Sequence, residues 1–266
     1  MKPKPMYFKK VKSKIRATLY YSRRSLVSKS FILTKCGTKN QSNRDNWVRH
    51  SLSQLKNGLK ILDAGAGQMR YKESCTHLKY ISQDLAEYDG VGDSIGLQKQ
   101  AIHDWNVDII SDISEIPEED NSYDAILCTE VFEHIPDPLR VLQEFSRLLK
   151  PGGELILTVP VCSLTHQSPY YYYNGFSRNF FEYHLPQCGF NIKVLDYNGN
   201  FFEYVAQEFR RIKTTARKYS KLGIIRWIIL TVISAPILIT LSRLSKKDEG
   251  SQEMLSHGIH VLANKI

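Results

Sequence analysis

The segment Lys60-Ile61-Leu62-Asp63-Ala64-Gly65-Ala66-Gly67 limits the folds open to this chain more than any other stretch. A short apolar run ends in a carboxylate and breaks at once into two glycines one residue apart. Glycine reaches backbone conformations closed to other residues and lets a ligand approach the main chain. The pattern predicts a buried strand, a tight turn, and a helix presenting free N–H groups. A second apolar run, Lys79-Tyr80-Ile81-Ser82-Gln83, ends at Asp84, 17 residues after Gly67. A carboxylate at that strand end can accept two hydrogen bonds from a ribose diol. Alone, Gly-x-Gly is equally a plain strand-to-helix turn, so the remaining pattern has to decide.

That pattern alternates strands with helices. Trp47 to Lys56 reads as a helix stopped by Asn57-Gly58. Residues 85–105 contain Gly90, Gly92 and Gly96 and predict a long loop in place of a crossover helix. Val107 to Ile110 reads as a third strand ending at Ser111-Asp112, and Tyr123 to Cys128 as a buried fourth. Asp137-Pro138 supplies an N-cap and a first-turn proline. Pro138, Val141, Leu142, Phe145, Leu148 and Leu149 form the apolar face of the helix that follows, which Lys150-Pro151-Gly152-Gly153 stops. Glu154 to Val161 is the fifth strand. Such alternation predicts an α/β fold with a mostly parallel, doubly wound sheet, in which ligands sit at the carboxyl ends of the strands.

Charge is distributed unevenly. Residues 1–44 hold 13 Lys/Arg and no acid, whereas the remainder carries 23 basic and 27 acidic side chains, although the whole chain is +9. The basicity belongs to an N-terminal arm and not to a substrate groove, so no nucleic-acid partner is expected. Phe8, Val11, Ile15 and Leu19 recur in the arm at helical spacing between cations, a pattern suited to an anionic membrane surface or to docking on the domain. A solvated extension has the same composition. No uninterrupted apolar segment follows the basic start, so the arm does not read as a secretory signal. Five cysteines without a C-x-x-C pair fit free thiols in a reducing compartment; no zinc site or other metal is expected from their spacing.

The glycine turn discriminates among ligands. A dinucleotide fingerprint needs a small residue where this chain has Arg70, and no G-K-[ST] follows for a triphosphate. A nucleoside ligand without a pyrophosphate remains, of which S-adenosylmethionine is the commonest. With these residues the chain resembles the class I S-adenosylmethionine-dependent methyltransferases, in their small-molecule, type 11-like branch. Ile61 to Gly67 looks like the family's first motif and Asp84 like its ribose-binding acid. Ser111-Asp112-Ile113 resembles the segment that meets the adenine. Cys128-Thr129-Glu130-Val131-Phe132-Glu133-His134-Ile135 with Asp137-Pro138 resembles the fourth-strand motif, and Leu149 to Gly153 the usual helix ending. The likeness covers about residues 58–200 and returns at Gly258 to Lys265, which looks like the final strand. It implies a Rossmann-like, seven-stranded sheet with an antiparallel last strand. It also implies that Asp63, Gly65, Gly67, Asp84, Asp112, Ile113 and Glu130 hold the donor. Asp63 and Glu133 also suit purely structural roles, in the turn and at a helix N-terminus.

The acceptor side is less defined. Ser163 to Phe176 leaves the carboxyl edge of the fifth strand and includes Tyr170-Tyr171-Tyr172-Tyr173, whose faces and hydroxyls suit a sugar. His166 can act there as a general base, or only bond backbone while the tyrosines cover the donor. His134 is a second imidazole, read as structural or cofactor-side. The stretch from Ser163 through Phe181 resembles a subgroup associated with bacterial surface-polysaccharide biosynthesis.

Residues 227–242 carry no charge but are short of the ~20 residues a membrane-spanning helix needs, and Pro236 interrupts them. Pairing of strands before and after the segment keeps both its ends on one side of a bilayer. A re-entrant or surface-lying helix over 224–244, helped by the basic arm and the cations before Trp227, is therefore expected, against a buried helix or an interface. The organisation expected is a basic arm (1–44), a methyltransferase domain (45–203 and 256–266) and an inserted apolar helical element (204–255). The function expected is methyl transfer to an O or N nucleophile of a small molecule, a glycan precursor first, at the cytoplasmic face of the inner membrane. A lipid or quinone acceptor and a non-catalytic cofactor-binding scaffold are the alternatives.

Overall fold

The computed structural model describes residues 34–98, 105–220 and 224–266. The arm helix expected around Phe8 and Leu19 lies outside them. A seven-stranded sheet is built from β1 (Lys60–Ala64), β2 (Lys79–Asp84), β3 (Ile109–Ile110), β4 (Tyr123–Thr129), β5 (Leu149–Pro160), β6 (Phe190–Asn198) and β7 (Gly258–Lys265). Its order is β3-β2-β1-β4-β5-β7-β6. Strands β1 to β5 pair in parallel, and β7 runs antiparallel to both β5 and β6. This is the Rossmann-like α/β fold with an antiparallel last strand that the sequence predicts. The strand order reverses between β1 and β4, which opens a crevice at their carboxyl ends.

Both faces of the sheet are covered. Helix α1 (Asn40–Ser53) buries Val48 and Leu52 against Ile61, Leu127 and Ile156 on one face. On the other, α2 (Pro138–Leu148) and α3 (Arg178–Gln187) bury Val141, Leu142, Phe145, Phe181 and Leu185 against Leu62, Ile126 and Leu157. Local chemistry starts α2: Asp137 accepts from Arg140 N at 3.2 Å, and Pro138 occupies the first turn, where no N–H is required. Helices α4 (Phe201–Tyr219) and α5 (Ile224–Ser245) lie between β6 and β7, and α5 packs on α4 through Leu238 and Leu241 near Ala206 and Phe209. No helix among the described residues is long and apolar enough to cross a membrane.

Four elements differ from expectation. Helix α1 begins at Asn40 and not Trp47, because Asn198 donates to both oxygens of Asn40, at 3.0 and 2.9 Å, and Asn40 donates to Gln207. Those anchors are more than 150 residues away in the chain, so no local signal announces them. No regular helix follows Gly67. Met69 turns left-handed (φ 52°), Arg70 is drawn to Asp45, and only a 3₁₀ turn at Lys72–Cys75 forms. Strand β3 keeps two residues of the four expected, because the Asp108 carboxylate, and not its backbone, meets Ser82 N (2.8 Å) and Ser82 Oγ (2.6 Å). Strand β5 reaches back to Leu149, with a register shift opposite Tyr123 and Ala125 taking up the Lys150–Gly153 turn. Residues 85–98 form a loop without a helix, as predicted.

Candidate active site

A cavity of about 1170 Å³ opens at the carboxyl ends of β1, β2 and β4. That exceeds the space one drug-sized ligand fills and accommodates a donor together with an acceptor. The glycine turn forms its floor. Gly65 (φ 70°) has no room for a side chain, since a Cβ would lie 2.6 Å from Val131 Cγ2. The end of β2 zips onto the turn: Ala66 N donates to Gln83 O at 2.8 Å, Gly65 N to Gln83 Oε1 at 3.2 Å, and Gly67 N to Asp84 Oδ2 at 2.9 Å. Asp84 Oδ1 also accepts from Ala86 N at 2.9 Å. A carboxylate has about four acceptor positions, so Asp84 can shape the turn and still receive a diol.

The other predicted donor residues are distributed around this floor. Asp112 lines the cavity with Oδ1 accepting from Ser114 N at 2.7 Å, and Ile113 lines it beside Asp112. Glu130, at the end of β4, holds a left-handed backbone (φ 54°), a conformation that costs a non-glycine residue about 1 kcal/mol or more. It is fixed there by Arg44 at 2.6 Å and by Thr158 Oγ1 at 3.1 Å. Asp63 is not brought to the cavity wall. Its carboxylate is buried beneath the turn, where Tyr80 O–H donates to it. Burial pushes the Asp63 carboxyl up to about 7; the Tyr80 bond opposes this and the nearby Asp84 charge adds to it.

The opposite wall carries Glu133, His134, His166 and Tyr170. His166 Nδ1 contacts Leu164 O at 2.8 Å, and its Nε2 lies 3.8 Å from the buried Glu133 Oε1. Of the four consecutive tyrosines only Tyr170 lines the cavity, with its hydroxyl on Glu87 at 3.2 Å. Tyr171 donates to Ser163 O at 2.7 Å and Tyr173 to Pro136 O at 3.0 Å, so both hydroxyls hold the loop in place.

Sequence reasoning missed a third wall. Arg44 from α1 and Gln207, Arg210 and Arg211 from α4 also face the cavity. Arg210 donates to the carbonyls of Cys36 (2.8 Å) and Thr34, and burial pushes its guanidinium below the ordinary value. Nothing in the local sequence of α4 separates these arginines from the other cations of a basic helix.

A model of the methyltransferase domain family matches residues 62–157. The ubiquinone biosynthesis O-methyltransferase of Xanthomonas oryzae pv. oryzae is 36% identical over 104 residues, 38% of this chain and 43% of that protein. Its counterpart in Xanthomonas campestris pv. campestris is 35% identical over the same length. The chain thus spans under half the length of the curated relatives it matches. Among solved structures, an S-adenosylmethionine-dependent methyltransferase from Mesorhizobium loti aligns with 82% of this chain and 96% of its own, at 13% identity and TM-score 0.46. Haemonchus contortus phosphoethanolamine N-methyltransferase 2, solved with S-adenosyl-L-methionine, aligns with 84% of this chain and 52% of its own, at 18% identity and TM-score 0.46. Residues 62–157, from β1 into β5, thus match a methyltransferase domain, and the sheet that carries them has the Rossmann-like order with an antiparallel last strand.

Proposed function

We propose that this chain methylates a hydroxyl of a small aromatic or quinone-type acceptor with S-adenosylmethionine as donor. One observation carries the donor half: Asp84 closes the glycine turn and keeps acceptor capacity facing a cavity sized for two ligands. The residues present fit the donor. Asp84 would take the ribose diol, Asp112 and Ile113 would flank the adenine, and the Gly65–Gly67 backbone would lie along the remainder. When bound, the donor supplies an electrophilic methyl on a sulfonium. The protein's part is mainly positioning, which brings an acceptor oxygen into line with that methyl and excludes water. The acceptor proton would leave toward the Glu133, His134 and His166 wall.

The acceptor class is supported by the relatives, whose name is an O-methyltransferase of ubiquinone biosynthesis. Little in the cavity favours a sugar, since the hydroxyls of Tyr171 and Tyr173 are committed to backbone carbonyls. Contact with a lipid surface fits such an acceptor. Ile229, Val232, Ile233, Ile237 and Leu244 form an exposed apolar stripe on α5. Between Arg211 and Asp248 the chain carries eight further Lys/Arg and no acid, which suits anionic headgroups. On this reading 45–203 with 256–266 is the catalytic domain, α4 at the start of the 204–255 insertion closes its cavity, and the rest of the insertion with the basic arm is the membrane-facing part at the cytoplasmic surface.

Isothermal titration with S-adenosylhomocysteine tests the donor half. Binding at about one ligand per chain is expected, with at least tenfold loss in Asp84→Ala; no heat from either cofactor form overturns the reading. Turnover on catechol- and sugar-type acceptors then tests the acceptor half, and transfer to sugars alone overturns it.

A further inference from the structure

Three potential ligand groups that are scattered in the sequence meet on the acceptor wall. Glu133 and His134 lie on the 3₁₀ turn Phe132–His134 after β4, and His166 on the loop after β5. Glu133 Oε1 is 3.9 Å from His134 Nε2 and 3.8 Å from His166 Nε2, and the three ligand atoms all lie within 4.8 Å of one another. The Glu133 side chain is 1% exposed and the imidazoles 13% and 25%, so the charge is sheltered while the histidines reach the cavity.

The backbone fixes which nitrogen of each ring carries the proton. His134 Nδ1 bonds the carbonyl of Tyr170, and His166 Nδ1 bonds that of Leu164 at 2.8 Å. A carbonyl oxygen only accepts, so each Nδ1 carries the proton and each Nε2, in the neutral ring, a lone pair. A second-nitrogen bond to a backbone carbonyl is how proteins orient and polarise ligating imidazoles. The supports are themselves tied down. Tyr172 N and Tyr173 N donate to Glu133 O at 2.9 and 3.2 Å, while Leu97 N donates to Thr165 O and Gln167 N to Leu97 O, both at 2.9 Å.

We propose that Glu133, His134 and His166 form a site for one divalent transition-metal cation on the acceptor side of the cavity. Ligand bonds of about 2.0–2.2 Å place neighbouring ligand atoms roughly 3.3–3.5 Å apart in a tetrahedral site, so the three atoms need to draw together by several tenths of an ångström or more. Gln167 Nε2, now 2.7 Å from His134 Nε2, gives up that contact as the cation enters. Two imidazoles and one carboxylate favour zinc, iron(II) or cobalt(II) over magnesium or calcium. The remaining coordination positions face the cavity and take water or an acceptor hydroxyl, whose proton the cation then acidifies. In this arrangement His166 acts as a ligand, and the acidified hydroxyl passes its proton to water in the open cavity and not to an imidazole. The cation's role toward the acceptor rests on the proposed methyl transfer; the site rests on the geometry alone.

The test uses the full chain after chelator treatment and desalting. Zn²⁺ is titrated against a chromophoric competitor, and Co²⁺ is added in parallel to read ligand-field absorption. The expected result is one tightly held Zn²⁺ per chain, nitrogen-and-oxygen ligation of Co²⁺, and Zn²⁺-dependent protection against thermal unfolding. His166→Ala should weaken Zn²⁺ binding at least tenfold, by analogy with the 10–100-fold losses seen for supporting residues alone, while His50→Ala on the surface should not. Glu133→Gln keeps the buried volume and serves as a second variant if His166→Ala folds poorly. No saturable binding, or equal affinity in both ligand variants and the parent, overturns the site. S-adenosylhomocysteine titrated into the same samples separates the two readings: failure there counts against methyl transfer and leaves the cation result standing.

Discussion

Gly65 and Gly67 look equivalent in the sequence and are not equivalent in space. A Cβ at Gly65 would strike Val131, whereas at Gly67 (φ 55°) nothing lies within 4 Å. Gly67→Ala should therefore cost only the left-handed penalty of about 1–2 kcal/mol. Gly65→Ala should also displace the turn and weaken S-adenosylhomocysteine binding tenfold or more in a titration; equal effects would contradict the geometry. Asp63 presents a second contrast. The motif groups it with the turn, but no spacing shows that its carboxylate faces Tyr80 and not the ligand. With that carboxyl held up to about 7 against an ordinary 3.8, the folded chain keeps a proton that the unfolded chain releases. Stability due to Asp63 therefore falls as pH rises between those values, by about 4 kcal/mol in all. Asp63→Asn should gain on the parent progressively from pH 4 to pH 8 in urea unfolding, and a pH-independent difference would show an ordinary carboxyl.

Elements whose boundaries depend on local chemistry were legible; those held by distant partners were not. Asp137-Pro138 starts α2 where predicted because cap and proline act within one turn. Strands β1 and β4 were readable because central parallel strands are buried on both faces and read as apolar runs. The start of α1 was hidden because Asn198 and Gln207 hold it, and the helix expected after Gly67 was wrong because Asp45 and Met69 redirect that segment. Both histidines were candidates in the sequence, but their meeting with Glu133 was hidden, because they come from the turn after β4 and from the loop after β5, which the Leu97–His166 bridge braces. The apolar stretch near the C-terminus was legible as a helix, and the structure adds which side of it is exposed. Val232 and Ile233, each 57% exposed, mark that side. Replacing both with Glu should reduce co-sedimentation with anionic vesicles several-fold and leave S-adenosylhomocysteine affinity unchanged. Undiminished sedimentation would assign the stripe to some other contact.

At the scale of the whole molecule, the domain is closed where α1, α4 and β7 meet, and two buried histidines stand at that junction. Trp47 of α1 stacks on His260 of β7 with ring centroids 4.7 Å apart, and His257 lies against Tyr204 of α4 at 6.1 Å. Burial holds both imidazoles down to about 4, helped by the charge of Arg44 near His260 and of Arg211 near His257. Each is therefore neutral in the folded chain at pH values where the unfolded chain binds a proton. Their stabilisation is fully present above the ordinary value of 6.5 and is lost as pH falls from there toward 4, by about 3 kcal/mol each. Asp63 works in the opposite direction over part of the same range, but the two histidines together outweigh it. Between pH 7 and pH 4.5 the histidines lose about 5 kcal/mol and Asp63 gains about 3, so the parent should lose about 2 kcal/mol over that interval in urea unfolding. Replacing His260 with Gln removes about 2.4 kcal/mol of acid loss, so the net loss between pH 7 and pH 4.5 should all but vanish, whatever the substitution costs at pH 7. An acid limb of unchanged depth would mean that the junction opens before the histidines are protonated. The closure of α1 and α4 over the cavity would then be weaker than their packing implies.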